Sequence, residues 1–141
     1  MSNRSERNQP IIAEFRANAG KVGGPFADTP LLLLSTIGAT SGQTRVNPLA
    51  YSVDRDRLVV FAANGGRDQH PAWYYNVLAH PLVTVELGDE RFQARALVAK
   101  EPERTRLYAM MVEHNPDFAE FEQNTNRKIP AVVLERIGEK R

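Results

Sequence analysis

The chain of 141 residues has the length of a single domain and contains no cysteine, which excludes disulfide frameworks, thiolate metal sites and cysteine nucleophiles. Its 42% apolar and 25% charged residues are typical of a globular protein rather than a disordered one. Because 18 Lys and Arg residues are offset by 17 Asp and Glu residues, the net charge is only +1, which argues against a nucleic-acid-binding protein.

We expect no export signal, because the polar residues 1–9 lead into an apolar stretch that is far too short for one. We therefore expect a cytoplasmic protein, with residues 1–8 disordered. The first predicted helix carries Ile11, Ile12 and Phe15 beside basic residues. It either packs on the rest of the protein or lies peripherally against the inner face of the membrane.

Apolar spacing and turn residues predict the elements in chain order. They are a helix over 10–19, strands over 31–36, 45–53 and 57–63, a helix over 71–79, strands over 83–87 and 92–98, a helix opened by Pro102, a helix over 117–126, and a strand over 129–134. Strands that follow one another as hairpins disfavour a doubly wound parallel sheet. We expect one α+β domain over residues 1–141, in which about six mostly antiparallel strands close into a small barrel with flanking helices.

Motifs for most catalytic chemistries are missing. Residues 20–24 are glycine-rich but lack the preceding strand and following helix of a dinucleotide-binding loop. The histidines, His70, His80 and His114, do not have metal-ligand spacing with a carboxylate, so we expect no metal site. Ser41 does not lie in the Gly-x-Ser-x-Gly turn of a hydrolase, which disfavours a serine nucleophile.

Residues 38–49 form the first of three segments that are unusual for a plain core. Their two glycines allow the backbone to approach a ligand closely. The hydroxyls of Thr40 and Ser41, with neighbouring amides and Arg45, could bind an anion. The alternative is an ordinary hairpin loop with a solvated arginine.

The other two segments are residues 61–66 and 70–76. The first is a strand ending in small residues and two glycines, which leaves room for a flat ligand or simply forms a flexible turn. The second places Trp73 and Tyr74 at the start of a short helix, where free amides suit a carbonyl or an anion. Trp73 could wall an aromatic ring, or both side chains could be core anchors.

Several short motifs occur in a fixed order along residues 8–134. They are Phe15-Arg16-Ala17-Asn18, Gly20-Lys21 and Gly24, Leu32-Leu33-Leu34, Gly38-x-x-Ser41-Gly42-x-x-Arg45-x-x-Pro48-Leu49, Gly65-Gly66, His70-Pro71-x-Trp73-Tyr74-x-Asn76, His80-Pro81 and Thr125-x-Arg127-x-Ile129-Pro130. On these motifs the chain resembles the deazaflavin (coenzyme F420)-dependent nitroreductase family, in its flavin/deazaflavin oxidoreductase A group of actinobacteria.

The resemblance implies a split β-barrel, similar to the flavin-mononucleotide-binding fold, whose groove holds coenzyme F420, an 8-hydroxy-5-deazaflavin. It implies an oxidoreductase that transfers a hydride from the reduced cofactor to a small-molecule acceptor: a quinone, an activated alkene or a nitro compound. Carried over residue by residue, the implied cofactor site is Ala39, Thr40, Ser41, Gly42, Arg45, Val46, Asn47, Pro48, Leu49, Ala50, Phe61, Ala62, Ala63, Asn64, Pro71, Ala72, Trp73, Tyr74, Tyr75 and Asn76.

The chain departs from the family pattern in several places, including Ala63 and Asn64, where some relatives have Ser and Lys. Ala39 and Thr40 stand where members often carry a basic residue, so another cation such as Lys21 would have to meet the cofactor's anionic tail. Phe118, Phe121 and Ala50 stand where relatives that reduce bicyclic nitroimidazoles have tyrosines. Because neither a phenyl ring nor a methyl group can donate a hydrogen bond, we expect Phe118 and Phe121 to line an apolar substrate pocket that favours quinones.

Two alternatives stay open at this point. One is a flavin-mononucleotide enzyme, or a biliverdin- or pyridoxine-type reductase, of the same split-barrel class. The other is a non-catalytic module that binds a lipid, a fatty acid or another ligand. No pattern in the sequence predicts the oligomeric state.

Overall fold

A computed structural model describes residues 3–27 and 29–137, without the side chains of residues 3–7 and Pro25. The helices are α1 (Asn3–Ala17), α2 (Ala72–Ala79), α3 (Glu103–His114) and α4 (Asp117–Gln123), with short 3-10 turns at Gly24–Phe26 and Asn64–Gly66. The strands are β1 (Leu31–Ile37), β2 (Thr44–Asp54), β3 (Arg57–Phe61), β4 (Leu82–Leu87), β5 (Glu90–Val98) and β6 (Ala131–Arg136).

The six strands form a closed barrel in the order β1-β2-β3-β6-β5-β4, and every neighbouring pair is antiparallel. The predicted α+β barrel of about six strands with helices outside is therefore confirmed. Hairpin connections join β1 to β2, β2 to β3 and β4 to β5. Closure leaves no unpaired sheet edge between these strands.

Strand β1 is buried on both faces, which explains its uninterrupted apolar run. Leu32 and Leu34 face the barrel interior, where Trp73 of α2 also packs. Leu31 and Leu33 face outward against α1. Successive side chains of a strand point to opposite faces, so a strand covered on both sides cannot show polar alternation.

Helix α1 packs its apolar face on the barrel. Ile12 and Phe15 are buried against the outer face of β1. Arg16 donates two hydrogen bonds to Glu86, with Nε and Nη2 lying 3.0 and 2.7 Å from the carboxylate oxygens. This face is therefore occupied by the protein itself, the first of the two arrangements that the sequence left open. No helix in the described ranges is long and apolar enough to cross a membrane.

Residues 3–8, for which the sequence predicts disorder, are described as the first turns of α1. Met1 and Ser2 lie outside the described residues. The apolar spacing marks only the part of the helix that packs, from Pro10 onward. No glycine interrupts the polar turns before it, so the helix extends further than its buried face.

A charged cluster fastens α3 to the hairpin of β2 and β3. The Asp54 carboxylate accepts hydrogen bonds from Arg57 at 2.7 Å and from Arg106 at 3.1 and 3.2 Å. Glu103 approaches the same two guanidinium groups, at 3.0 and 3.5 Å. Hydrogen bonds from Arg106 and then Arg57 hold the pKa of Asp54 well below its usual range, because both stabilise the ionised form.

Candidate active site

A groove of about 1690 Å³ brings the three unusual segments of the sequence together. Its walls are the loop after β1 with the first half of β2, the end of β3 with the following turn, the start of α2, and the start of α4. The predicted site residues that line it are Ala39, Thr40, Ser41, Arg45, Val46, Asn47, Pro48, Leu49, Ala50, Phe61, Ala63, Asn64, Pro71, Ala72, Trp73, Tyr75, Asn76, Phe118 and Phe121.

Three residues of the implied site do not line the groove. Ala62 is fully buried in the barrel core. Tyr74 packs against that core, with its ring centroid 4.7 Å from that of His70. Gly42 has a φ of 73° and donates its N–H to the Gly38 carbonyl at 3.0 Å, so it shapes the loop instead. A resemblance carries over whole segments, whereas alternate residues of a segment point in opposite directions.

Trp73 is a core anchor, one of the two alternatives that the sequence left open, and it also lines the groove. Its side chain is only 4% exposed and belongs to the barrel core cluster with Val77. It nevertheless contributes to the groove wall. A large aromatic side chain held by core packing gives the groove a rigid apolar surface.

The side-chain amide of Asn76 connects α2 to the loop after β1. Its Oδ1 accepts a hydrogen bond from the backbone N–H of Ala39 at 2.9 Å, and its Nδ2 donates to Thr36 Oγ1 at 3.0 Å. Both Asn76 and Thr36 are buried. Asn76 therefore positions the loop with the two ends of its amide, although it also touches the groove.

The same loop is closed by its own hydrogen bonds. Gly38 donates its N–H to the Gln43 carbonyl at 2.8 Å, and Gln43 N–H donates to Ser41 Oγ at 3.1 Å. A Cβ at Gly38 would lie 2.5 Å from Ser41 Oγ, so a larger residue would displace the Ser41 hydroxyl from the loop. The loop presents Ala39, Thr40 and Ser41 to the groove in a fixed arrangement.

Arginine side chains make the groove wall favourable for anions. Arg45 and Arg67 line it, and among the lining residues that the structure describes they are opposed by one carboxylate, that of Asp117. Within the described ranges Arg45 is exposed and forms no ion pair or hydrogen bond through its side chain. Lys21, the cation suggested by the sequence, is exposed and does not line the groove. Arg67 lines the groove, although no motif indicated this residue.

The strongest contact that sequence reasoning missed is made by Arg127. Its guanidinium donates to the carbonyls of Ala63 and Arg67, both at 2.9 Å, and its Nη1 lies 2.8 Å from His70 Nδ1. It thereby fixes the segment that carries part of the groove wall. The signal was present in the Thr125-x-Arg127 motif, but a contact across 57 residues of chain cannot be deduced from spacing alone.

The start of α4 supplies an aromatic wall. The rings of Phe118 and Phe121 are 5.0 Å apart at their centroids, and Phe61 packs edge-on against Phe118 at 5.8 Å. The Tyr108 hydroxyl donates to the Phe118 carbonyl at 2.7 Å. Burial raises the pKa of Tyr108 to about 12, so the hydroxyl keeps its proton and this anchor persists at neutral pH.

Comparison with known proteins agrees with this geometry. The model of the F420H(2)-dependent quinone reductase family matches residues 8–136. An F420H(2)-dependent quinone reductase of Mycobacterium tuberculosis is 34% identical over 128 residues, which cover 88% of this chain and 86% of the relative.

Solved structures give the same result. An F420-H2-dependent reductase named FDR-A is 36% identical, with a TM-score of 0.69 over 75% of this chain and 94% of its own. A structure described as a domain-swapped dimer is 30% identical, with a TM-score of 0.72 over 95% of this chain and 100% of its own. These matches confirm the resemblance drawn from the motifs: the chain belongs to the F420H(2)-dependent quinone reductase family.

Proposed function

We propose that this protein is an F420H2-dependent oxidoreductase that transfers a hydride from reduced coenzyme F420 to a quinone. The observation that carries the proposal is the single groove that gathers the three cofactor-implied segments against the aromatic wall of α4. Family membership supports the cofactor, and the relatives' names support the quinone. The groove-lining residues of the predicted site are the proposed cofactor contacts.

The residues present fit a deazaflavin. Such a cofactor has a flat tricycle, a polar pyrimidine edge and an anionic tail. The preformed loop offers amides and the hydroxyls of Thr40 and Ser41, while Arg45 has no competing ion pair among the described residues. These groups suit the tail, because hydrogen bonds to a charged partner are the stronger ones. The buried Trp73 provides a rigid surface for a flat ring.

When bound, the reduced cofactor supplies the hydride, and the protein has to position the two reactants and exclude water. Asn76 fixes the loop that meets the tail, and Arg127 fixes the segment that follows β3. Phe118 and Phe121 form an apolar wall of the same groove, with Phe121 beside the turn that follows β3, and this wall excludes water from the proposed acceptor site. The contribution of this chain to catalysis is therefore mainly positional.

The aromatic wall also supports the choice of acceptor. Neither Phe118 nor Phe121 can donate a hydrogen bond to a nitro group, whereas both can pack on a flat quinone or enone. A pocket without hydrogen-bond donors placed for the nitro group gains little preference for a nitroimidazole over a quinone. We infer that quinones are reduced faster than bicyclic nitroimidazoles.

A fluorescence titration of the protein with coenzyme F420 and, separately, with flavin mononucleotide tests the proposed cofactor. We expect coenzyme F420 to bind at least about tenfold more tightly, a difference of about 1.4 kcal/mol. Tighter binding of flavin mononucleotide would identify a flavin enzyme and overturn the proposal. Native mass spectrometry of the purified protein showing a retained lipid, with no binding of either cofactor, would identify a binding module.

A further inference from the structure

The imidazole of His70 is held in one tautomer by a partner that can only donate. Arg127 Nη1 lies 2.8 Å from His70 Nδ1. A guanidinium has no acceptor atom and does not deprotonate in proteins, so Nδ1 must supply the lone pair of this hydrogen bond. A neutral imidazole with a lone pair at Nδ1 carries its proton at Nε2.

The position of the guanidinium leaves the ring no alternative arrangement. Its other nitrogens donate to the carbonyls of Ala63 and Arg67, both at 2.9 Å, so three hydrogen bonds fix its plane. A proton at His70 Nδ1 would face this cation directly. Burial and then the charge of Arg127 lower the pKa of His70, which agrees with a neutral ring.

The other groups around the ring do not oppose this assignment. Tyr74 and Tyr75 of α2 lie with their ring centroids 4.7 and 5.8 Å from that of His70. On the loop of His70 itself, Arg67 lines the groove and the Asp68 carboxylate accepts a hydrogen bond from Thr125 Oγ1 at 2.8 Å. No carboxylate contacts the imidazole among the described residues to stabilise a charged form.

The remaining polar atom of the ring is unused. His70 is half-buried and lines the groove, and in residues 3–27 and 29–137 its Nε2 has no hydrogen-bond partner. A neutral N–H group that is held in place beside a ligand groove is suited to bind a carbonyl oxygen. It donates a hydrogen bond, keeps its proton and does not have to reorient when the ligand binds. No motif drawn from the sequence assigned this function to His70.

We propose that His70 donates a hydrogen bond from Nε2 to a carbonyl oxygen of the ligand in the groove, and that Arg127 is the positioning residue that fixes its tautomer. The proposal rests on the proposed function. The carbonyl belongs either to the quinone or to the polar edge of the deazaflavin, and the test separates these two sources.

Two amide substitutions divide the functions of the ring. In His70→Asn the amide oxygen reaches the position of Nδ1 and still accepts from Arg127, but the groove donor is lost. In His70→Gln the longer amide places an N–H donor near the position of Nε2, but the acceptor for Arg127 is lost. The two variants have similar polarity and therefore serve as controls for each other.

The measurements are the KM for menadione in the oxidation of F420H2 and the Kd for coenzyme F420. We expect His70→Asn to raise one of them about tenfold, or about 1.4 kcal/mol, because a hydrogen bond to the ligand is lost, and His70→Gln to stay within about threefold of the unmodified protein. A change in KM alone assigns the donor to the quinone, and a change in Kd assigns it to the cofactor. Any ranking in which His70→Gln is not the better variant overturns the proposal.

A second measurement does not depend on cofactor or turnover. Nitrogen-15 NMR of the His70 ring in the free protein should show a neutral imidazole protonated at Nε2 at neutral pH, persisting below the ordinary histidine pKa of about 6.5. In Arg127→Met, the Nδ1-protonated form should appear and the pKa should rise. An imidazolium, or an Nδ1-protonated ring, in the unmodified protein would overturn the proposal even if the enzyme binds F420. Absence of F420 binding with the expected tautomer would instead count against the proposed function.

Discussion

Asn76 Oδ1 accepts a hydrogen bond from the backbone N–H of Ala39 at 2.9 Å, and this bond connects α2 to the loop after β1. The two residues are 37 positions apart in sequence. Each belongs to a different segment of the proposed cofactor site. The shape of the loop therefore depends on α2. We expect cofactor affinity to fall when Asn76 is substituted, even though its amide is hydrogen-bonded to protein groups.

Asn76→Ala should weaken coenzyme F420 binding by about tenfold, because the loop loses its anchor and must be ordered when the ligand binds. Amide hydrogen exchange at Ala39 should become faster in the same variant. Gln93→Ala, which removes an exposed amide side chain of β5, is the control for a general effect on the fold. Unchanged affinity with faster exchange at Ala39 would show that the loop does not contact the cofactor.

Arg45→Ala should weaken coenzyme F420 binding by about 1.5–3 kcal/mol, the usual worth of a hydrogen bond to a charged group. Thermal stability should change little, because Arg45 is exposed and has no ion pair among the described residues. Arg91→Ala, an exposed arginine of β5 outside the groove, is the matched control. Normal binding together with lower stability would make Arg45 a structural residue.

Phe121→Tyr should raise turnover of a bicyclic nitroimidazole and leave that of menadione nearly unchanged. Phe121 is half-buried at the groove, so an added hydroxyl can reach a ligand. Phe118→Tyr should have a smaller effect, since Phe118 is only 7% exposed. Recovery of deazaflavin absorbance with each acceptor in excess measures both rates. Faster nitroimidazole than quinone turnover in the unmodified protein would contradict the inferred selectivity.

The Asp54 cluster should make stability depend on pH in the acidic range. The pKa of the Asp54 carboxyl in the folded protein lies below its value of about 3.9 in the unfolded chain. The stabilisation from its ion pairs is therefore fully present above about pH 3.9 and is lost as the pH falls below it. Urea unfolding should show that Asp54→Asn costs about 2 kcal/mol at pH 7. The difference from the unmodified protein should shrink below about pH 4. A cost that does not vary with pH would show that the ion pairs contribute nothing.

Ser52→Ala should stabilise the protein by about 1 kcal/mol. The Ser52 hydroxyl is buried on β2 without a hydrogen-bond partner among the described residues, so its removal relieves a desolvation cost. Thr36→Val is the matched comparison and should destabilise, because the Thr36 hydroxyl accepts from Asn76. Chemical unfolding of both variants gives the two signs. Destabilisation by Ser52→Ala would indicate a partner for this hydroxyl.

Much of the barrel could be predicted because the spacing of apolar residues along a strand shows directly which of its faces is buried. The alternating side chains of β4 and β5 and the turn at residues 88–89 indicate a hairpin without further information. The motifs located the groove segments for the same reason, since each is continuous in sequence. Which residues within a segment face the groove depends on the direction of each side chain, so Ala62 and Tyr74 belong to the implied segments but pack in or against the core.

Contacts between distant segments were beyond the sequence. Arg127 reaches Ala63 across 64 residues, and nothing local to either position indicates this hydrogen bond. Lys21, suggested as a substitute cation beside Arg45, does not line the groove, whereas Arg67 does, and neither position follows from a local pattern. A single chain cannot reveal such pairings from its own periodicity.

Anaerobic mixing of the protein with F420H2 and menadione tests the central proposal most directly. We predict that deazaflavin absorbance returns at a rate proportional to protein concentration, with no return when the quinone is omitted. Arg45→Ala should require more F420H2 to reach the same rate. Oxidation of F420H2 that is no faster with the protein than without it, across quinones of different substitution, would contradict the proposed reaction.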